Sequence, residues 1–224
     1  MIESFASAAA LAETAADAVA KALSQGLRER GAASLVATGG RSPGPVYDHL
    51  QRALLDWSKV TVTLSDERFV PPHDPASNER LVRDRLLADK AASAAFVPLY
   101  SVAADPEAAA QAAEAVLRAL APFDVMLLGM GEDGHVASLI PGSPVLEKGM
   151  DAAGERFLLG VPAGVGSPPL ARITLTLPAL LSARKILVLV SGEAKRQVIE
   201  AGAGLPVHAL LEAAKGRIRV LWTP

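Results

Sequence analysis

The seven residues Gly129-Met130-Gly131-Glu132-Asp133-Gly134-His135 combine three glycines, two acids and a histidine. They follow Phe123-Asp124-Val125-Met126-Leu127-Leu128, an apolar run that reads as a buried strand. A histidine beside carboxylates has the chemistry of a general base near neutral pH, since its ordinary pKa is about 6.5. Glycine lets a backbone turn tightly or come close to a ligand. In open α/β sheets, ligands bind where strands end at their carboxyl side. His135 is therefore the candidate base, with Glu132 or Asp133 to orient it. A lone histidine is more often structural or exposed than catalytic, and His49, His73 and His208 lack a comparable setting. No second histidine lies at ligand spacing from His135, so no metal site is expected.

Three further groups could hold an anion. Thr38-Gly39-Gly40-Arg41-Ser42 lies between a strand and a helix start, where backbone N–H groups and a helix dipole favour a phosphate. The pattern is neither the P-loop nor the dinucleotide glycine motif, and an ordinary tight turn would have the same look. Ser65-Asp66-Glu67-Arg68 ends the next strand. By itself it reads as a surface turn with an ion pair, but its neighbour in a parallel sheet would be the first turn. Arg172 opens a strand, and Lys195 falls in the first turn of a helix after Ser191-Gly192. A cation is unfavourable there unless an anion is near.

The elements that position these residues follow from periodicity. Leu11, Ala15, Val19, Leu23 and Leu27 form one stripe of a helix from about Phe5 to Arg30. Strands are expected at 34–37, 60–64, 123–128, 157–161, 172–175, 185–190 and 217–221. Helices are expected from Pro43 to about Leu55, from Ser77 or Asn78 through Leu87, over 106–120 and over 193–201. Gly142 to Gly154 reads as a loop that could move over the site. Continuous apolar strands alternating with helices mean an α/β fold whose mostly parallel sheet is covered on both faces. No composition break or repeat divides the chain, so residues 1–224 are expected to form one domain.

Half of the 224 residues are apolar, the formal net charge is −2 and cysteine is absent. That excludes disulfides and thiolate metal sites, and argues against nucleic-acid binding by bulk positive charge. No run is long and apolar enough for a membrane span. The alanine-rich start carries Glu3, Glu13 and Asp17 and does not read as a signal peptide, so a cytoplasmic protein is expected. A monomer or weak homo-oligomer is the expected state.

Together, and in order, these motifs resemble the 6-phosphogluconolactonase family over nearly the whole chain. The resemblance runs from Thr38-Gly39-Gly40 through Ser65-Asp66-Glu67-Arg68-Phe69-Val70, Ser77-Asn78 and Gly129–His135. It continues in Ala137-Ser138-Leu139, Pro141-Gly142, Arg172-Ile173-Thr174-Leu175-Thr176 and Ser191-Gly192-Glu193-Ala194-Lys195. It implies a three-layer α/β/α, Rossmann-like fold similar to that of glucosamine-6-phosphate deaminases, with no cofactor. It also implies hydrolysis of a phosphorylated sugar lactone, 6-phospho-D-glucono-1,5-lactone, with His135 as general base. Gly39, Gly40, Arg41, Ser42, Arg172 and Lys195 are then the phosphate set. Arg68 joins the substrate-binding residues or serves as an oxyanion donor, and Asp66 meets the sugar hydroxyls or the attacking water. The rival reading within the fold is a deaminase, whose pattern places a glutamate where this chain has Ile140. A non-catalytic sugar-phosphate sensor is the rival from another class. It would leave His135 without a task, and no recognition helix follows the N-terminal one.

Overall fold

A computed structural model describes residues 2–224. Its centre is a seven-stranded, all-parallel sheet: β1 (Ile2–Ser4), β2 (Ala33–Ala37), β3 (Val60–Leu64), β5 (Ala95–Phe96), β6 (Val125–Gly129), β9 (Ile186–Ser191) and β10 (Ile218–Thr223). The spatial order is β1-β10-β9-β6-β2-β3-β5. Helices cover both sides. Every residue of β2 is buried, as are Val125 to Leu128 of β6. Strands buried on both faces favour apolar side chains, which is why they read as apolar runs, and the one polar residue of β2, Ser34, accepts from Asp124 N–H.

From β2 the chain builds outward to β3 and β5, then returns to place β6 on the other side of β2. Leu35 pairs with Val125 and Val36 with Met126. The order reverses between these two strands, which opens a crevice at their carboxyl ends. The turn after β2 and the loop after β6 are the two candidate segments from the sequence, and they flank this crevice.

The first helix, α1 (Ala8–Arg30), starts later than expected because Ser7 caps it, its hydroxyl accepting from Ala10 N–H at 3.2 Å. Gly31 ends it in the left-handed conformation and donates to Leu27 C=O. The second, α2 (Pro43–Leu50), stops short of Leu55. Ser77, not Asn78, caps α3 (Asn78–Arg85), and Thr176 caps the short α6 (Leu177–Leu181).

Two expectations are corrected. Asp66–Arg68, expected as part of a turn, is a strand, β4, in a second, antiparallel sheet with β8 (Arg172–Leu175) and β7 (Leu158–Val161). The parallel pattern therefore does not run through the whole chain. Gly142 to Gly154 is not simply a loop: it contains a short helix, α5 (Leu146–Met150), whose Gly149 packs directly against Leu139.

The small sheet is tied to α4 (Pro106–Leu120). Gly160 of β7 lies so close that a Cβ would stand 2.3 Å from the Glu107 backbone nitrogen. Arg156 donates to Glu107 at 2.7 Å and to Glu114 at 2.8 Å. The same carboxylates accept from Gly160 N–H and Phe157 N–H. Burial works to raise both glutamates, but these amides and Arg156 outweigh it and hold both below the usual range. Such depressed carboxylates stabilise the fold above their unfolded pKa, and the contribution is lost as pH falls through the folded one. Arg156→Ala should therefore lower stability near neutral pH by about 1–3 kcal/mol, a fall in Tm of roughly 3–10 °C. The deficit should shrink on acidification, with kcat and KM unchanged. Thermal melts across pH check this, and a deficit that persists at low pH would rule it out.

Candidate active site

The loop after β6 folds back on itself. Gly131 N–H donates to His135 C=O, and Gly134 N–H to Gly131 C=O. The imidazole lies over Gly131, where a Cβ would sit 2.2 Å from Nδ1, so only glycine fits beneath the ring. Asp133 Oδ1 is 2.6 Å from His135 Nδ1. A carboxylate at that nitrogen keeps the proton there and leaves Nε2 as the basic lone pair. Of the two acids, both exposed, Asp133 is the one bonded to the ring. The histidine is about a quarter exposed (27 %), open enough to meet a solute. Just beyond it, Ala137 takes a positive φ of 50°, which costs an alanine about 1–2 kcal/mol. That turn carries Ser138 inward.

Ser138 is inconspicuous by type, yet it links the two halves of the site. Its hydroxyl donates to Asp66 Oδ2 at 2.6 Å, and its N–H donates to Thr174 Oγ1. Asp66 Oδ1 accepts from Ser65 Oγ, whose contact with Thr38 Oγ1 joins the ends of β2 and β3. Arg172 Nη1 reaches Ser138 Oγ at 3.4 Å and lies 3.9 Å from Asp66 Oδ2. A signal for Ser138 existed, since it lies three positions past His135 on the same loop.

Arg68 and Arg172 sit directly opposite each other across β4 and β8. Like charges in that arrangement repel. Arg172 is buried, and its Nη2 donates to Pro168 C=O at 2.8 Å, while Arg68 Nη1 donates to Ala76 C=O at 2.6 Å. The Nε of each is buried without a partner. Burial pulls the Arg172 guanidinium below its ordinary range, with Asp66 opposing and Arg68 adding to the shift. Two facing guanidiniums with unused donors can accept an anion.

The turn after β2 contributes backbone. Tyr47, fully buried, donates its hydroxyl to Thr38 C=O at 2.6 Å and accepts from Thr38 N–H at 2.9 Å, pinning the turn's entry. Gly39 is pressed by Asn78, since a Cβ there would lie 1.9 Å from Asn78 Oδ1. Gly40 has a φ of +94°, and Arg41 is exposed. Ser42 precedes α2 without using its hydroxyl as a cap. Lys195 lies in the first turn of α7 (Glu193–Glu200) and donates to Met130 C=O at 2.6 Å, which brings it onto the His135 loop.

Contacts thus link Thr38, Ser65, Asp66, Ser138 and Arg172 in one cluster, and His135, Asp133 and Lys195 in the adjoining loop. Gly39 joins through Asn78. The other histidines play no part: His49 and His73 are exposed, and His208, within α8 (Pro206–Ala213), is held by Val198 C=O and Leu205 N–H. No cluster of three or more His, Cys, Asp or Glu side chains suited to a metal ion occurs among the described residues. No helix among them is long and apolar enough to cross a membrane.

Residues 6–222 match the family model described as glucosamine-6-phosphate isomerases/6-phosphogluconolactonase. The chain is 44 % identical over 223 residues to a 6-phosphogluconolactonase of Caulobacter vibrioides, covering 99 % of this chain and 96 % of the relative. It is 44 % identical to one from Rhizobium meliloti, with 98 % and 97 % covered. Among solved structures, a 6-phosphogluconolactonase from Shewanella baltica superposes with a TM-score of 0.89 at 35 % identity, covering all of this chain and 97 % of that one. A monomeric glucosamine-6-phosphate deaminase shares the fold, with a TM-score of 0.80 at 22 % identity and coverage of 99 % and 96 %.

Proposed function

The chain belongs to the family of glucosamine-6-phosphate isomerases and 6-phosphogluconolactonases, and from that premise we propose that it hydrolyses 6-phospho-D-glucono-1,5-lactone to 6-phospho-D-gluconate. This is the second step of the oxidative pentose phosphate pathway. The observation that carries the reading is the Asp133–His135 pair standing as a single base at the sheet's crevice. Ile140, where the deaminase pattern has a second acid, is buried and apolar and cannot relay a proton.

A δ-lactone is an activated ester and needs no covalent nucleophile. His135 Nε2 takes a proton from water as the water oxygen attacks the lactone carbonyl carbon. The tetrahedral intermediate then collapses, the bond to the ring oxygen breaks, and the imidazolium returns the proton to that oxygen. Asp133 holds the ring and stabilises its charged form. General-base assistance of this kind supplies about 10²–10⁴ in rate.

The phosphate, remote from the reacting carbon, supplies binding energy that orients the carbonyl over His135. Arg172, Arg68, Lys195 and the Gly39-Gly40-Arg41-Ser42 turn are its partners in this reading. Asp66 is buried and already accepts two hydroxyl donors, so its part is to hold Ser138 and Arg172 for the substrate. The described residues act as one catalytic unit, supported by a single continuous apolar core. A cytoplasmic location and a monomeric or weakly associating state belong to the same reading.

Proton release from the lactone, followed at a pH and temperature where spontaneous opening is slow, tests the proposal. Purified protein should accelerate it far above background. A rate equal to background would refute it.

A further inference from the structure

We infer that Glu67 is a positioning residue for the substrate face: it fixes the start of α3 and, through Asn78, sets the spacing between Asp66 and the Gly39 turn. The inference rests on the substrate reading given above. Glu67 is fully buried and uses both carboxylate oxygens. Oε1 accepts from Arg68 N–H and Asn78 N–H, each at 2.7 Å. Oε2 accepts from Glu79 N–H at 2.7 Å and from Ser77 Oγ at 3.0 Å. All of these are donors, and an ionised carboxylate can satisfy them together.

A helix start does not need this much. Ser77 already caps α3, accepting from Arg80 N–H at 3.2 Å. What the extra carboxylate defines is the position of Asn78. That side chain is buried, donates from Nδ2 to Asp66 C=O at 2.9 Å, and abuts Gly39 with no room for a Cβ. It is a spacer between two of the segments that build the site, β4 and the turn after β2. Alternation along β4 sends Glu67 to one side and Asp66 and Arg68 to the other. A residue that never reaches the substrate thereby sets Arg68, a substrate partner in the reading above, and Asp66, which holds Ser138 and Arg172. Burial outweighs the four donors and pushes the Glu67 carboxyl up to about 7, so holding a charge there is costly. An uncharged cap would be cheaper if stability were its only role.

The test compares Glu67→Gln and Asn78→Ala with the unaltered protein. Glutamine matches the size but presents one acceptor and an NH₂ group to a ring of donors. Both variants should raise KM for the lactone about tenfold or more, the scale of one or two misplaced hydrogen bonds. kcat should stay within about threefold, since the Asp133–His135 loop is carried by β6 and not by α3. The Kd for inorganic phosphate, measured by calorimetry, should rise in parallel and needs no turnover. If lactone hydrolysis fails in the unaltered protein while the variants still weaken phosphate binding, the substrate reading falls and the positioning role stands. A lower Tm with KM and phosphate Kd unchanged in both variants would overturn the inference. Should Glu67→Gln not fold, Asn78→Ala decides alone, because it leaves the carboxylate's four bonds in place.

Discussion

Replacing His135 by alanine should lower kcat by about 10²–10⁴ while leaving KM within a few-fold of its original value. The imidazole is the one basic group at the crevice whose free nitrogen is presented by a carboxylate on the other, with Asp133 2.6 Å from Nδ1. Removing it takes away proton transfer in both attack and collapse, so the loss falls on the chemical step. In the proposed reading the phosphate partners lie on β4, β8 and the turn after β2, with Lys195 on α7 bonded to the backbone of Met130 and not to the imidazole, so substrate affinity should survive. Folding should survive as well. The side chain is partly exposed and leaves behind an Asp133 that is 45 % exposed, so no buried charge is stranded. Steady-state rates corrected for spontaneous opening, with a thermal melt as control, check the prediction. A kcat close to the original in a folded variant would move the base elsewhere in the site.

Arg172→Met should act on the opposite parameter. Methionine keeps most of the stem and removes the guanidinium. Truncating a buried, hydrogen-bonded charge costs about 2–5 kcal/mol, or roughly 30-fold to several thousand-fold in kcat/KM. The loss should appear mainly in KM, because in the proposed reading the arginine binds the remote end of the substrate. Inorganic phosphate should lose its power to inhibit. Stability should change less than for most buried arginines, since the substitution also relieves the repulsion from Arg68 directly across the sheet. If KM and phosphate inhibition both hold, Arg172 is a structural cation and the anion sits elsewhere.

What could be read from the chain, and what could not, follows from where each signal resides. Strands β6 and β9 are legible because burial on both faces forces long apolar runs, and β2 and β3 because their residues are small, apolar or β-branched. Their carboxyl ends are legible because glycine and charged residues interrupt those runs abruptly. Strand β4 is different. All three of its residues are charged, and it is a strand only because β8, more than a hundred positions later, supplies its hydrogen bonds. Helix α5 is masked by the glycines and prolines around it. In the site, His135, Arg172 and Lys195 stand out by setting: acids and glycines around the histidine, a cation opening a strand, and a cation in a helix's first turn. Ser138, Asn78 and Glu67 do not, since serine, asparagine and glutamate are commonplace at loops and helix starts. Their roles come from contacts such as Ser138 to Asp66, which are 72 positions apart. The choice between Glu132 and Asp133 likewise needed the loop's geometry, because neighbours on a tight turn face in different directions.

The most direct test of the central claim sets two substrates before the same protein. It would be given 6-phospho-D-glucono-1,5-lactone and, separately, glucosamine 6-phosphate. Acid production from the first and ammonia release from the second would be followed under matched conditions. The account predicts strong acceleration of lactone opening over its spontaneous rate, lost in His135→Ala, and no ammonia. Ammonia release together with lactone opening at the background rate would contradict it.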